Sequence, residues 1–328
     1  MKNNGIKILG VGSYKPDFVV NNSDFTKFID TDDEWITSRT GIKQRRMNID
    51  NTNFSMAVAA AERALKSANV NGEEIDMIIL STATPDTFYP STSCLVQRAV
   101  GAKNAGAIDI NVGCTGFVNA LDIARNYLAA GTYKTILVVS SEMLTRQTDF
   151  TDRGTCVLFG DGAGAVVVQA ADSEYHAVLG AIGEDYDDLK LKCHVNYPSN
   201  SPFTKSRDTN ESSGFICMDG KEVYKFASDI MPKAVNAVCE KAGWRLSDID
   251  LLIPHQANIR IINAAMKNFD INADKVYVNI ENTGNISSAC IPVCLDELYS
   301  MGKIKPGMKV CLVAFGAGLT FGAIAIEV

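Results

Sequence analysis

Glu73-Glu74-Ile75-Asp76-Met77-Ile78-Ile79-Leu80 and Ser247-Asp248-Ile249-Asp250-Leu251-Leu252-Ile253-Pro254 read alike, position for position, 174 residues apart. Each is a polar turn, an Ile-Asp step and a short apolar run. The likeness extends upstream at the same offset, from Ala60 in one copy and Ala234 in the other. Ala64 falls on Val238 and Ala68 on Ala242. These upstream stretches have helical spacing, and the apolar runs after them read as strands. A helix, a turn and a buried strand, written twice, is the pattern of an α/β protein.

A second pair of stretches matches at an offset of 171. Gly113-Cys114 falls on Gly284-Asn285, and Gly131 on Gly302. Thr135 to Ser140 and Lys309 to Ala314 then each read as a buried strand. The shared order of these matches points to an internal duplication. Strands uninterrupted by charge imply sheets covered on both faces. The expected fold is therefore α/β, in two duplicated halves, residues 1–171 and 172–328. A pseudo-twofold between them would bring equivalent loops together at the centre. The polar stretch from Asp185 to Ser213 breaks the pattern and reads as the connection between halves, with a surface loop.

The chain has 328 residues and is 46% hydrophobic, enough for a large core. Its net charge of -7, from 31 basic and 38 acidic residues, argues against a general nucleic-acid surface. A local basic patch for an acidic partner stays compatible with that balance. No apolar stretch reaches membrane-spanning length. Met1-Lys2-Asn3-Asn4-Gly5 leads into the strand-like Ile6-Lys7-Ile8-Leu9 without an apolar signal core, so the cytoplasm is expected. The nine cysteines lie mostly in apolar runs such as Cys156-Val157-Leu158-Phe159. That suits buried thiols in a reducing compartment rather than a disulfide framework. Cys290 and Cys294 are four apart on a predicted helix with no histidine nearby, so no metal site is predicted.

Asp109-Ile110-Asn111-Val112-Gly113-Cys114-Thr115-Gly116-Phe117 reads as a strand, a tight turn and a helix start. Cys114 is thus expected at a helix N-terminus, where free amides and the helix dipole favour thiolate. A thiolate can attack a thioester, and the thioester it forms keeps the acyl group activated. His176 precedes an apolar strand and reads as surface or structural; His194 falls in the polar connection. His255, in Ile253-Pro254-His255-Gln256-Ala257-Asn258, sits where a strand of the duplicated unit ends. Ligands bind at such strand ends. Asn285 lies in Glu281-Asn282-Thr283-Gly284-Asn285-Ile286-Ser287, an ordinary turn by itself. Its side-chain amide could donate to an oxygen that gains negative charge, and its match to Cys114 singles it out. Cysteine, histidine and asparagine in this order also occur in papain-like proteases, but the local cysteine signature of that group is missing. Gly160-Asp161-Gly162-Ala163-Gly164 is neither of the common nucleotide-binding glycine motifs, so no nicotinamide cofactor is expected.

These residues resemble the thiolase-like condensing enzymes, most closely the beta-ketoacyl-acyl-carrier-protein synthase III family. The likeness spans essentially the whole chain. It is carried by Thr31-Asp32-Asp33-Glu34-Trp35-Ile36 with Arg39-Thr40-Gly41-Ile42, and by Gly113-Cys114-Thr115-Gly116-Phe117. Further carriers are Asp152-Arg153-Gly154 with Phe159-Gly160-Asp161-Gly162, Pro254-His255-Gln256-Ala257-Asn258, Gly284-Asn285-Ile286-Ser287, and Phe315-Gly316-Ala317-Gly318. The resemblance implies a layered α-β-α-β-α thiolase-like fold, a homodimer and a Cys114, His255, Asn285 triad. It implies an oxyanion hole from the backbone N–H groups of Cys114 and Ala317. It places Trp35, Arg39, Arg153 and Arg260 at a site for coenzyme A or phosphopantetheine, and Phe88 near the wall of the acyl pocket. The implied reaction is decarboxylating condensation of an acyl group, brought by coenzyme A, with malonyl on acyl-carrier protein. Coenzyme A thioester is a substrate here, phosphopantetheine belongs to the carrier, and no cofactor is permanently bound. Gly113, Ile286 and Ala317 stand where alanine, threonine and glycine are common in that family, which bears on acyl specificity.

The leading expectation is therefore an acyltransferase of fatty-acid initiation. The same chemistry with an unusual starter in secondary metabolism is one alternative. A non-decarboxylating relative of hydroxymethylglutaryl-coenzyme A synthase fits the His255 and Asn285 strings less well. An inactive carrier-protein binding subunit is disfavoured by the presence of Cys114.

Overall fold

The computed structural model describes residues 5–183, 214–269 and 271–328. The Asp185–Ser213 stretch and His194 lie outside the described residues. In the first half come β1 (Gly5–Tyr14), β2 (Phe18–Asn21), α1 (Asn22–Phe25), α2 (Asp33–Thr40), β3 (Gln44–Met47) and α3 (Asn53–Ala68). They are followed by β4 (Met77–Ser81), α4 (Thr92–Ala99), β5 (Gly106–Ile110), α5 (Gly116–Ala129), β6 (Thr135–Met143) and β7 (Asp161–Ala171). The second half holds β8 (Tyr175–Ala181), α6 (Gly220–Ala242), β9 (Leu251–Pro254), α7 (Ile259–Met266), α8 (Ile280–Thr283), α9 (Cys290–Ser300), β10 (Lys309–Gly316) and β11 (Thr320–Glu327).

The two main sheets run β1-β7-β6-β4-β5 and β8-β11-β10-β9. They have one topology: β4 and β6 are parallel, as are β9 and β10, while β7 and β11 pair antiparallel with their neighbours. The counterpart of β5 is reduced to a single bridge, Leu252 to Val276. The repeated Ile-Asp step has a structural cause. Asp76 accepts from Lys134 N at 2.8 Å and Thr135 N at 3.0 Å, and Asp250 accepts from Lys309 N at 2.9 Å. Each carboxylate thus fixes the start of the strand beside its own. The preceding isoleucines, Ile75 and Ile249, are buried.

Five layers result. Between the sheets lie α5 and α9, whose Phe117, Leu121, Ile291 and Leu295 pack with Ile79, Val138, Ile253 and Leu312 in one core. Each large side chain removed from water there contributes about 1.5–3 kcal/mol. The alanine-rich face of α3 covers the outer side of the first sheet, and α6 and α7 cover that of the second. Caps set the helix limits: Thr52 accepts from Ser55 N at 3.1 Å ahead of α3, and Asp219 accepts from Lys221 N at 2.9 Å ahead of α6.

Two expectations need correction. The chain passes from the first sheet to the second at Asp172–Glu174, because β8 already pairs with β11. Asp185–Ser213 therefore comes after the change of sheet and is not the connection between the halves. The 171-residue match of Cys114 with Asn285 also fails. The 3-10 turns Gly113–Thr115 and Ser287–Ala289 are equivalent, each opening on a left-handed residue, Gly113 at φ 52° and Ser287 at φ 49°. Cys114 therefore corresponds to Ser288, and Asn285 to Asn111. The next helix, α9, is three residues shorter than α5, with 11 residues against 14. That shortening brings Gly131 and Gly302, which follow these helices, to the 171 spacing.

Candidate active site

The turn at Cys114 is built by close approach. With φ 52°, Gly113 takes a conformation that L side chains seldom adopt. Thr115 Oγ1 lies 2.9 Å from both Val112 O and Thr320 Oγ1 and shares its one hydrogen between them; Thr320 in turn donates to Ala317 O at 2.9 Å. This relay fastens the cysteine turn to the β10–β11 loop. At Gly316 a side-chain carbon would stand 2.7 Å from Cys114 Cβ and 3.1 Å from its Sγ, so only glycine leaves the sulfur its place. A carbon at Gly113 would sit 3.8 Å from Ala317 N, so the Ala317 amide stands close to the nucleophile's turn.

His255 follows β9 and is buried, with its N–H donating to Val313 O at 2.7 Å. Its ring meets Phe315 edge to face, with centroids 5.4 Å apart. Burial pushes the imidazole down to about 3, so it is neutral at physiological pH. Nδ1 is buried without a hydrogen-bond partner. A buried N–H without an acceptor is costlier than an unused lone pair, which favours the tautomer with its hydrogen on Nε2. Gln256 braces the segment, donating to Pro254 O at 2.7 Å and accepting from Asn279 N at 3.1 Å.

Asn285 is held by its backbone and by its own amide oxygen. Its N–H donates to Leu158 O at 2.8 Å, and its carbonyl accepts from Gly160 N at 3.0 Å. The neighbouring Val157 carbonyl accepts from the buried Arg45 Nη2 at 2.7 Å. Asn285 Oδ1 accepts from Ser287 N at 2.9 Å, which fixes the amide orientation and leaves Nδ2 as donor. Ser287 Oγ lies 3.5 Å from Cys114 Sγ.

Cys114, His255, Asn285 and Ala317 all line one cavity of about 580 Å³. Trp35, Arg39 and Arg260 line it as well. Arg153 does not, but its guanidinium stands 4.0 Å from the Trp35 ring centre, with that of Arg39 at 5.0 Å. Arg260 is exposed at the start of α7, where its N–H donates to the Asn258 cap at 2.8 Å. Phe88 is 58% exposed and lies outside the cavity lining of its own chain. Among the described residues no cluster of three or more His, Cys, Asp or Glu could hold a metal. Likewise, no described helix is long and apolar enough to cross a membrane.

Desolvation opposes the expected thiolate. Cys114 is only partly covered, yet desolvation by the surrounding protein pushes its thiol up to about 11. A helix start contributes only about 0.3–1 kcal/mol, and one pKa unit is about 1.4 kcal/mol, so desolvation prevails. Sequence reasoning also passed over Glu142, Ser287, Gln256 and Phe315 as site residues. Only Glu142 carried a signal, as a lone carboxylate ending the uncharged run from Thr135 to Ser141.

A duplicated five-layer fold with a cysteine, a neutral histidine and an oriented asparagine around one cavity defines a thiolase-like condensing enzyme. The chain belongs to the 3-oxoacyl-[acyl-carrier-protein] synthase III family. The 3-oxoacyl-[acyl-carrier-protein] synthase III model matches residues 108–184, and the model of that enzyme's C terminal part matches residues 239–328. Among curated relatives, the beta-ketoacyl-[acyl-carrier-protein] synthase III of Clostridium acetobutylicum is 45% identical, with 99% of each chain covered. The crystal structure of 3-oxoacyl-[acyl-carrier-protein] synthase III from Aquifex aeolicus superposes with a TM-score of 0.91 at 42% identity, covering 99% of this chain and 100% of the other. The priming beta-ketosynthase of the R1128 polyketide biosynthetic pathway superposes with a TM-score of 0.88 at 35% identity, covering 99% and 97%.

Proposed function

We propose that Cys114 is the acyl carrier and that His255 and Asn285 activate the malonyl partner. The reaction is the family's decarboxylating Claisen condensation of acyl-coenzyme A with malonyl-carrier protein through an acyl-cysteine. In the first half-reaction the Cys114 sulfur attacks the thioester carbonyl. The bond from that carbon to the coenzyme A sulfur breaks, and the thiol proton leaves with coenzyme A. The backbone N–H groups of Cys114 and Ala317 receive the developing oxyanion.

In the second half-reaction malonyl loses carbon dioxide and its thioester oxygen gains charge. Nε2–H of His255 and Nδ2–H of Asn285 donate to that oxygen. The enolate carbon then attacks the acyl-Cys114 carbonyl, a carbon–carbon bond forms, and the sulfur departs. The observation that carries this reading is the pinned Asn285 amide beside a neutral histidine: two donors, neither of which can serve as an ordinary base. Losing one such donor typically costs about 3 kcal/mol, roughly 100-fold in rate. Asn285→Ala should thus acquire an acyl group normally and condense malonyl-thioester about 100-fold more slowly. Near-normal carbon dioxide release by this folded variant would contradict the assignment.

Trp35, Arg39 and Arg153 suit the adenine and phosphates of coenzyme A: the indole offers a broad face and guanidinium groups pair with phosphate. Arg260 stands at the mouth where an acidic carrier protein would dock. The likeness to a polyketide priming synthase supports a second reading, in which the starter is an unusual acyl group; competition among acyl-coenzyme A substrates distinguishes the two. A homodimer is the expected assembly. It is supported by β5, an edge strand of the first sheet, and by the exposed Phe88 and Tyr89. Phe88 would reach an acyl pocket only across such an interface.

A further inference from the structure

Glu142 lies behind the cysteine turn and takes no part in the chemistry above. It is fully buried near the end of β6. Three neutral donors hold its carboxylate: Ala83 N at 3.0 Å, Thr84 Oγ1 at 3.0 Å and Ser288 Oγ at 2.6 Å. Among the described residues it forms no salt bridge. The donors come from two segments that wall the site. Ala83 lines the cavity, and Ser288 follows the Ser287 that touches Cys114 Sγ. Ser288 is also the counterpart of Cys114 in the second half, so this carboxylate links to the turn that mirrors the nucleophile's.

Three donors suit an ionised carboxylate, whereas burial without a salt bridge penalises that charge. The balance holds Glu142 up to about 7. Its negative charge adds to desolvation in raising the Cys114 thiol. Cys290 on α9 feels both groups and is itself raised, chiefly by burial, to about 12; the neutral His255 lines the same cavity as Cys114. Asp161 on the adjacent β7 is bound by Asn48 N at 2.8 Å and Thr145 Oγ1 at 2.6 Å.

We propose that Glu142 is a positioning residue for Cys114: it ties the Ala83 and Ser288 segments around the nucleophile, and the negative charge it sets behind the cysteine turn disfavours a resting thiolate. The proposal rests on Cys114 being the acyl carrier. Glu142→Gln keeps the shape, and its amide oxygen can still accept from Ala83 N–H and the Thr84 hydroxyl. The test follows iodoacetamide alkylation of Cys114 by peptide mapping, from about pH 6 to about pH 10. In the variant, alkylation near pH 8 should run about tenfold faster, the equivalent of about one pKa unit off the thiol. Ser288→Ala removes the shortest donor, so Glu142 ionises at higher pH; alkylation between about pH 7 and 8 should also quicken, by less. A profile unmoved in both folded variants, or displaced to higher pH, overturns the proposal, because a carboxylate that only packs would alter stability and not thiol ionisation. Acyl transfer from acyl-coenzyme A to the unsubstituted protein is measured alongside. Its absence would remove Cys114 as acyl carrier while leaving the alkylation comparison intact.

Discussion

His255 and Glu142 are buried ionisable residues with opposite effects on stability as pH falls. His255 drops from 6.5 to about 3 in the folded protein, so below about pH 6.5 the unfolded chain binds its proton first and acid destabilises the fold. Glu142 rises from 4.5 to about 7, so between those values the folded protein binds its proton first and acid stabilises it. Between about pH 6.5 and 4.5 the two oppose each other. Glu142→Gln leaves His255 alone, so on acidification the variant should lose stability relative to the parent by up to about 1.4 kcal/mol per pH unit. Urea unfolding at several pH values checks this, and parallel stability curves would contradict it. At this scale the sequence singled out Cys114 and His255 by residue type and place in the chain, whereas Asn285, in an ordinary turn by itself, was singled out by a match to Cys114 that the fold does not keep and by the family resemblance. Gly316 and Ser287 were not, because their importance lies in the close approach of the Gly316 backbone and the Ser287 hydroxyl to the cysteine, which no local pattern records.

Helices and turns set the distances between those residues. Trp35 and Arg39 lie four residues apart on α2, hence on one face of the helix. Asp32 caps that helix by accepting from Trp35 N at 2.6 Å. The Arg153 guanidinium reaches the same ring from the segment before β7. Arg39→Ala should therefore raise the acyl-coenzyme A concentration needed for acylation by roughly tenfold, the loss expected of a charge-assisted hydrogen bond. The saturated acylation rate should be unchanged. An unaltered concentration dependence would reject the contact. The first duplicated unit was legible because its Ile-Asp step performs the same task twice, fixing the start of the neighbouring strand. The second was misaligned by three residues because α9 is one turn shorter than α5, and matching glycines followed the helix end rather than its start. Asn285 belongs to the site through its bridge to the Leu158–Gly160 backbone, a long-range pairing that spacing does not contain.

Across the molecule, the two sheets and the helices between them place every site segment at one central cavity, with the first sheet's β5 edge facing outward. Phe88 and Tyr89 are 58% and 92% exposed. Two such side chains are costly to leave in water, and a homodimer would cover them. Light scattering should find a dimer, and Phe88→Glu with Tyr89→Glu should shift it toward monomer; a monomeric parent protein would contradict the assembly. The α/β class and the two halves were legible from the duplicated helix–strand units, and the layering from the family resemblance. The halves were divided at residues 171 and 172, beside the change of sheets at Asp172–Glu174, but the conspicuous polarity of the later stretch drew the connection to the wrong place. The account stands on the covalent intermediate. Its most direct test is intact-mass analysis after exposure to a short acyl-coenzyme A, followed by peptide mapping. The predicted result is a gain of one acyl group per chain, on Cys114. An acyl group on Cys156 or Cys311 with Cys114 free, or no gain with any acyl-coenzyme A tried, would contradict it.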